Sequence, residues 1–303
     1  MKLGIVVVYL FGAEHEPLLD LHLRQIEKCT QIPYIIYCSV NRLAPKQRQR
    51  LAEYPQIRAF EFPPTELRGM REHSYYLDRL IRIAVDDGAT HVATLHLDSF
   101  PLRIGWIEGL AARLTDTCVI ATVDRISTAC LVFGRDFYLR YRPTMLVSES
   151  VKATPKYRNY IRTCNPDQHS GIGYGFAAST NDLSCHYLPL TASHNGYGRI
   201  YDDTIFHLAG TIRIQPNKPS GTDKAPSLLN RGLVRVVTVG RMLVPLDMQI
   251  RLRARFARWH DQMIEQPRKK IEKPHHDAVA RELLQTPDAF LDRLRKQHQC
   301  KLF

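Results

Sequence analysis

Apolar and polar positions over the first 125 residues fall into short β-branched runs that alternate with amphipathic helical stretches. Lys2 to Leu10 (KLGIVVVYL) is a near-continuous apolar run, the pattern of a strand covered on both faces. From Glu16-Pro17 the apolar positions Leu18, Leu19, Leu21, Leu23 and Ile26 take helical spacing, with a proline in the first turn. Pro33 to Val40 and Ile57 to Phe62 predict the second and third strands, separated by a short basic helix over Pro45 to Tyr54. Arg71 to Asp87 places Leu77, Leu80, Ile81 and Ala84 on one helical face, and Gly88 stops that helix as a C-terminal cap. Thr90 to Leu97 is a fourth strand, Ile104 to Leu114 a helix, and Cys118 to Val123 a fifth strand. This alternation predicts an α/β fold, a mostly parallel sheet with helices on its faces.

The second half is patterned differently. Ala129 to Phe133 is strand-like, Pro143 to Pro166 is polar and irregular, and Gly171, Gly173 and Gly175 punctuate a loop. His186 to Leu190, Thr204 to Leu208 and Thr211 to Ile214 are short strand or helix-end candidates, and Asn217 to Ala225 reads as a linker. Beyond Leu246 the pattern is helical and basic, with a last helix over Pro287 to Gln297. The predicted organisation is a catalytic domain over residues 1–215, then a linker and basic helical extension over 216–303.

Composition narrows the setting. Hydrophobic content of 44% and charged content of 24% suit a globular chain of 303 residues that buries a sizeable core. The net charge of +12 favours polyanionic partners, although a solvated basic surface accounts for it equally well. Seven scattered cysteines without a C-x-x-C pair argue against a disulfide framework or a zinc cluster and for a reducing compartment. Leu3 to Leu10 is followed at once by Gly12, Glu14, His15 and Glu16, unlike a signal peptide, and no run approaches the roughly 18 apolar residues of a membrane span. The expectation is a cytoplasmic protein, soluble or peripheral at the inner face of the membrane. The basic C-terminal stretch reads either as a surface for anionic lipid or as a helical cover whose arginines reach to water, with Pro267 and Pro274 breaking any long helix there.

Ligands of an open parallel sheet bind at the carboxyl ends of its strands. The fourth strand ends in His96-Leu97-Asp98-Ser99, where an acidic side chain can ligate a divalent ion or simply form a turn. The surrounding segment, His91 to Trp106 (HVATLHLDSFPLRIGW), resembles the donor-site segment of GT-A glycosyltransferases of the family 2 type. Asp98 takes the first acidic position of their Asp-x-Asp motif, and Pro101 with Gly105-Trp106 fits the stretch after that motif. Phe100 replaces the second acidic residue.

The resemblance implies a GT-A fold, a nucleotide-sugar donor (UDP-, GDP- or dTDP-linked) and a Mg²⁺ or Mn²⁺ ion. It further implies transfer, with inversion, to a glycan or lipid-linked acceptor. Asp98 and the late His207 would hold the metal; Tyr9, Phe11, Asn41, Arg71, His73, Asp98 and Ser99 would line the donor. The catalytic carboxylate or base falls in Asn165 to Phe176, at Asp167 or His169, with Asp202 and Asp203 in reserve. Each has an ordinary structural alternative: a core histidine at 207, a solvated helix start at Arg71 and His73, a turn at Asp167. Two other functions share the fold. A sugar-phosphate nucleotidyltransferase wants a basic Gly-rich loop after the first strand, where this chain has the acidic stretch Phe11 to Glu16. A degenerate, polyanion-binding relative would bind nucleic acid, yet the basic residues lack an interleaved aromatic platform, so no nucleic acid is expected.

Overall fold

The computed structural model of the chain describes residues 1–11, 13–124, 126–164, 170–194, 197–208 and 266–299. Its larger sheet has seven strands: β1 Leu3–Val8, β2 Tyr34–Ser39, β3 Ile57–Phe60, β4 His91–Leu95, β6 Cys118–Val123, β7 Ser127–Gly134 and β8 Ser184–Tyr187. They take the order β3-β2-β1-β4-β7-β6-β8. Strands β3, β2, β1 and β4 are mutually parallel, β7 runs antiparallel between β4 and β6, and β8 is parallel to β6. This is the mostly parallel α/β sheet, with helices on its faces, that the sequence predicts.

The uninterrupted apolar run of β1 is explained by cover on both faces. Leu3, Ile5 and Val7 enter one core cluster with α1 (Glu16–Cys29), while Val6 and Val8 enter a second with α3 (Met70–Asp86). Side chains alternate across a strand, so only a strand with helices on both sides stays apolar at every position. Two short helices, α2 (Pro45–Ala52) and α4 (Trp106–Ala111), complete the first half. Gly88 closes α3 at φ +82°, the left-handed conformation that its expected capping role requires.

A smaller antiparallel sheet stands beside the first. It comprises β5 Ser99–Pro101, β9 Leu190–His194, β10 Tyr197–Tyr201 and β11 Ile205–His207, in the order β5-β11-β10-β9. Strand β5 is too short to be legible in the sequence, yet it positions the site.

Two expected loops are helical. The stretch from Pro143 to Pro166 contains α6 (Glu149–Lys152) and α7 (Pro155–Cys164), after α5 (Arg135–Tyr141). The Gly171-x-Gly173-x-Gly175 run leads into α8 (Ile172–Ser179). Its glycines are packing positions: a Cβ on Gly171 would lie 2.4 Å from the Ile126 carbonyl oxygen, and one on Gly173 would lie 1.9 Å from that of Thr144. The helix sits so close to its neighbours that no side chain fits, which is why three glycines recur at a two-residue interval.

At the C-terminal end, α9 (Gln266–Gln285) runs continuously through Pro274, forfeiting one backbone hydrogen bond rather than breaking as expected. Together with α10 (Pro287–Gln299) it covers the small sheet. Val279, Leu283, Phe290, Leu291 and Leu294 are buried in the same core cluster as β1 and α1. The described part of the extension is therefore a packed cover. The predicted boundary at 215/216, the linker, Thr211 to Ile214 and the basic stretch after Leu246 up to residue 265 lie outside the described residues. The described cysteines 29, 38, 118, 130 and 185 are free thiols. No helix among the described residues is long and apolar enough to cross a membrane.

Candidate metal centre

The parallel strands β1, β2, β3 and β4 all finish at one end of the sheet, so the residues after Val8, Ser39, Phe60 and Leu95 lie along that end, where open sheets bind ligands. At β4 the chain turns sharply. The Ser99 backbone N–H donates to the His96 carbonyl (3.0 Å), and the Ser99 hydroxyl accepts from the His96 N–H (2.8 Å) and donates to the Ala129 carbonyl (2.5 Å). Ser99 is fully buried by these contacts. The Ser99 hydroxyl, expected to line the donor, is engaged in stapling the turn that carries Asp98.

From that turn the chain enters β5, which pairs antiparallel with β11: Ser99 lies opposite His207, Phe100 opposite Phe206 and Pro101 opposite Ile205. The Leu208 N–H donates to the Asp98 carbonyl at 2.9 Å, clamping the end of the ladder. The ladder delivers His207 to a residue far back in the sequence, with His207 Nε2 3.9 Å from Asp98 Oδ1. His96 approaches from the other side, its Nδ1 also 3.9 Å from Asp98 Oδ1. One ligand atom from each of His96, Asp98 and His207 lies within 4.8 Å of the others.

These separations exceed hydrogen-bond length but suit a shared ion, since ligand atoms at about 2.0–2.2 Å from a metal stand about 3–4.4 Å apart. The surroundings of the histidine fit as well. His96 Nε2 lies 2.9 Å from the Thr128 hydroxyl, so a proton held there leaves the Nδ1 lone pair facing Asp98. Asp98 is 6% exposed, and burying a carboxylate so deeply is costly unless a cation accompanies it. The donor set therefore fits a divalent ion.

Phe100 has no place in this set. It is wholly buried and stacks on Phe206 with ring centroids 4.9 Å apart. Alternation along β5 puts Phe100 and its partner Phe206 on the face opposite Ser99 and its partner His207, into the core. The group that completes the site is His96, two residues before Asp98, which sequence reasoning missed. Its signal is the His-x-Asp spacing at a strand end, which brings both side chains to one side of the turn.

The remaining expected residues separate clearly. His73, on the first turns of α3, reaches the centre: its ring meets that of His96 edge to face at 5.2 Å, and its Nδ1 is 3.2 Å from the Ser170 hydroxyl. Loss of hydration lowers the His73 pKa to about 4, which keeps the ring neutral. Arg71 stands about 200° around the same helix, exposed, 3.8 Å from Glu149.

Asn41 spends its amide on the backbone. Its Oδ1 accepts from the Phe62 N–H (3.0 Å) and the Ser39 hydroxyl (3.0 Å), while Nδ2 donates to the Phe62 carbonyl (2.6 Å). It ties the ends of β2 and β3 together. Tyr9 and Phe11 are core residues, 0% and 4% exposed, packed edge to face against each other at 5.8 Å. Both rings, expected to lie beside the base, are buried in this structure.

The crevice wall also contains a pair that sequence did not single out. Arg42 Nε and Nη2 donate to the two carboxylate oxygens of Glu72 at 2.9 and 3.0 Å, joining the end of β2 to the first turn of α3. Asp202 and Asp203, the fallback carboxylates, are neighbours between two strands of the small sheet. They form the β10–β11 turn at φ +49° and +50°, and Asp202 accepts from Arg113 at 2.6 Å. Asp203 is four residues along from His207, about 13 Å away. Asp167 and His169 lie outside the described residues.

No protein-family model matches the chain, and no curated protein matches it. Solved structures give partial likenesses. A Pyrobaculum calidifontis mannosyltransferase in complex with GDP-Man and Mn²⁺ aligns at 13% identity over 46% of this chain and 46% of that one, TM-score 0.36. TarS 1-349 from S. aureus in complex with UDP aligns at 9% identity over 62% and 58%, TM-score 0.42. Apo mouse xyloside xylosyltransferase 1 aligns at 11% identity over 62% and 85%, TM-score 0.39. The chain spans about half the length of the mannosyltransferase and of other TarS structures.

Proposed function

We propose that the chain is a glycosyltransferase that binds a nucleotide-sugar donor in the crevice at the ends of β1, β2 and β4. The observation that carries this reading is the convergence of His96, Asp98 and His207 at the carboxyl end of a central strand. Bound there, a divalent cation would neutralise charge developing on a nucleoside diphosphate leaving group. Two imidazoles and one carboxylate suit Mn²⁺ or a neighbouring transition metal better than Mg²⁺, which prefers an all-oxygen shell. His96 and His207 supply neutral nitrogen donors, Asp98 supplies the negative charge, and Thr128 orients His96.

Around the metal, His73 presents a neutral ring beside His96, suited to hydrogen bonding with donor oxygens. The Arg42–Glu72 pair and the Asn41 amide hold the far wall, where the nucleoside would lie. Asp167 or His169 remains our assignment for the base that takes the acceptor hydroxyl proton during inverting transfer. The acceptor is proposed to be a glycan or lipid-linked sugar, met at the inner face of the membrane.

The test is a thermal-shift screen of the purified chain against UDP-, GDP- and dTDP-sugars with and without Mn²⁺, then product analysis for the donor that binds. A ligand at 100 times its Kd stabilises by about 2.7 kcal/mol. A shift that needs both donor and metal, and is lost in Asp98→Asn, is expected. Pyrophosphate release from a nucleoside triphosphate and a sugar phosphate would instead favour a nucleotidyltransferase. Tight, salt-sensitive nucleic acid binding with no response to any sugar nucleotide would sink the enzymatic reading.

A further inference from the structure

Directly across the small sheet from His207 stands Arg199: the two are Cα partners in the β10–β11 ladder. Opposed residues of an antiparallel pair carry their side chains on the same face, about 4.5–5.5 Å apart. Arg199 therefore shares the face that brings His207 to Asp98. The backbone is shaped locally for this. Gly198 sits at φ +58°, and the β9–β10 register shifts between Tyr197 and Arg199, the kind of irregularity that re-aims a side chain next to a site.

The guanidinium is about one-third exposed, with Asp124 Oδ1 3.7 Å from its Nη1, beyond hydrogen-bond length. The Tyr201 hydroxyl, two residues along the same strand, is a further polar neighbour of the guanidinium and of Asp124. Asp124 itself follows β6 at φ +47°, in the turn that leads to Thr128 and so to His96. A cation and the metal ligands thus converge from two sheets, and the ion pair on that cation is loose.

We infer that Arg199 is a positioning residue for the diphosphate of the nucleotide donor, exchanging its loose contact with Asp124 for paired hydrogen bonds to phosphate oxygens. This rests on the donor-binding reading of the same site. The chemistry suits it: a planar guanidinium binds phosphate oxygens in pairs, and a second positive charge beside the metal offsets the negative charge of a departing diphosphate. Asp124, 3.7 Å from the guanidinium, holds it without a close bond.

The experiment is isothermal titration of UDP, GDP and dTDP, and of the corresponding monophosphates, into wild type, Arg199→Gln and Asp124→Asn, all with Mn²⁺ present. For the diphosphate that binds wild type, Arg199→Gln is expected to weaken binding about tenfold or more. Its affinity for the monophosphate should stay within about twofold, and so should direct Mn²⁺ binding. Asp124→Asn is expected to keep or strengthen diphosphate binding, since it removes the competing carboxylate. Should Arg199→Gln melt well below wild type, Arg199→Lys, which keeps the charge and loses the paired geometry, decides the same comparison with a smaller expected loss. Unchanged diphosphate affinity in the Arg199 variants overturns the inference and leaves the donor site standing. So does an equal loss in Asp124→Asn, which marks the pair as structural. Absence of any nucleoside diphosphate binding by wild type removes the donor site itself.

Discussion

Restoring the missing acidic residue, Phe100→Asp, separates two accounts of the metal centre. If position 100 were an eroded ligand position, an aspartate there would strengthen metal binding. The structure predicts collapse instead. Phe100 is fully buried against Phe206, which in turn meets Phe290 at 6.3 Å. Losing a buried phenylalanine ring costs about 3–5 kcal/mol, and a buried carboxylate left without a partner adds several more. Together these rival the whole stability of a domain, about 5–15 kcal/mol. Phe100→Leu keeps the site apolar, costs about 1–2 kcal/mol, and should lower Tm by a few degrees without touching the metal. The assay is thermal melting by circular dichroism paired with Mn²⁺ titration for both variants. A Phe100→Asp protein that melts like wild type and binds Mn²⁺ more tightly would refute the assignment of position 100 to the core and of His96 to the metal.

Four further outcomes come from individual positions. His96→Ala should lower Mn²⁺ affinity by about 10–100-fold or more, and Thr128→Val, which removes only the hydroxyl that orients His96, by about tenfold; equal affinities in direct metal titration would remove His96 from the set of ligands. Wild type should lose stability as pH falls from 6.5 to about 4, because His22 is fully buried, desolvation lowers its pKa to about 4, and the unfolded chain takes up the proton first. That loss is about 3 kcal/mol, and urea melts across this range should show a flatter profile for His22→Gln. Gly173→Ala should destabilise by about 1–3 kcal/mol, since its Cβ would fall 1.9 Å from the Thr144 oxygen. Gly109→Ala, inside α4 with open space around it, should stabilise by about 0.5–1 kcal/mol.

Local pattern along the chain specified the sheet and the centre of the site. The runs at residues 3–8, 34–39, 91–95 and 118–123 are strands because β-branched and other apolar side chains buried on both faces leave a signal that few polar positions interrupt. Asp98 was marked because the end of such a strand is where an open sheet binds ligands, and His207 only through the resemblance to GT-A glycosyltransferases; the fold brings the two side chains within 3.9 Å. Elements without a periodic signal were decided only by packing. Three-residue β5 has no pattern of its own and exists through its ladder with β11. The glycine run of α8 reads as a loop until the carbonyls of Ile126 and Thr144 are seen pressing on it.

The same divide runs through the site. Tyr9 and Ser99 carry groups that can bind a nucleotide, and nothing local says that burial has spent them. His96, Arg199 and Asp124 lie on three different strand ends or ladders, and none is notable in isolation. The place of Arg199 opposite His207, of Asp124 beside Arg199 and of His96 beside Asp98 comes from strand register and from one turn stapled by a serine hydroxyl. Chemistry of the side chains is written locally; which of them face one another is set by contacts between residues far apart in the chain.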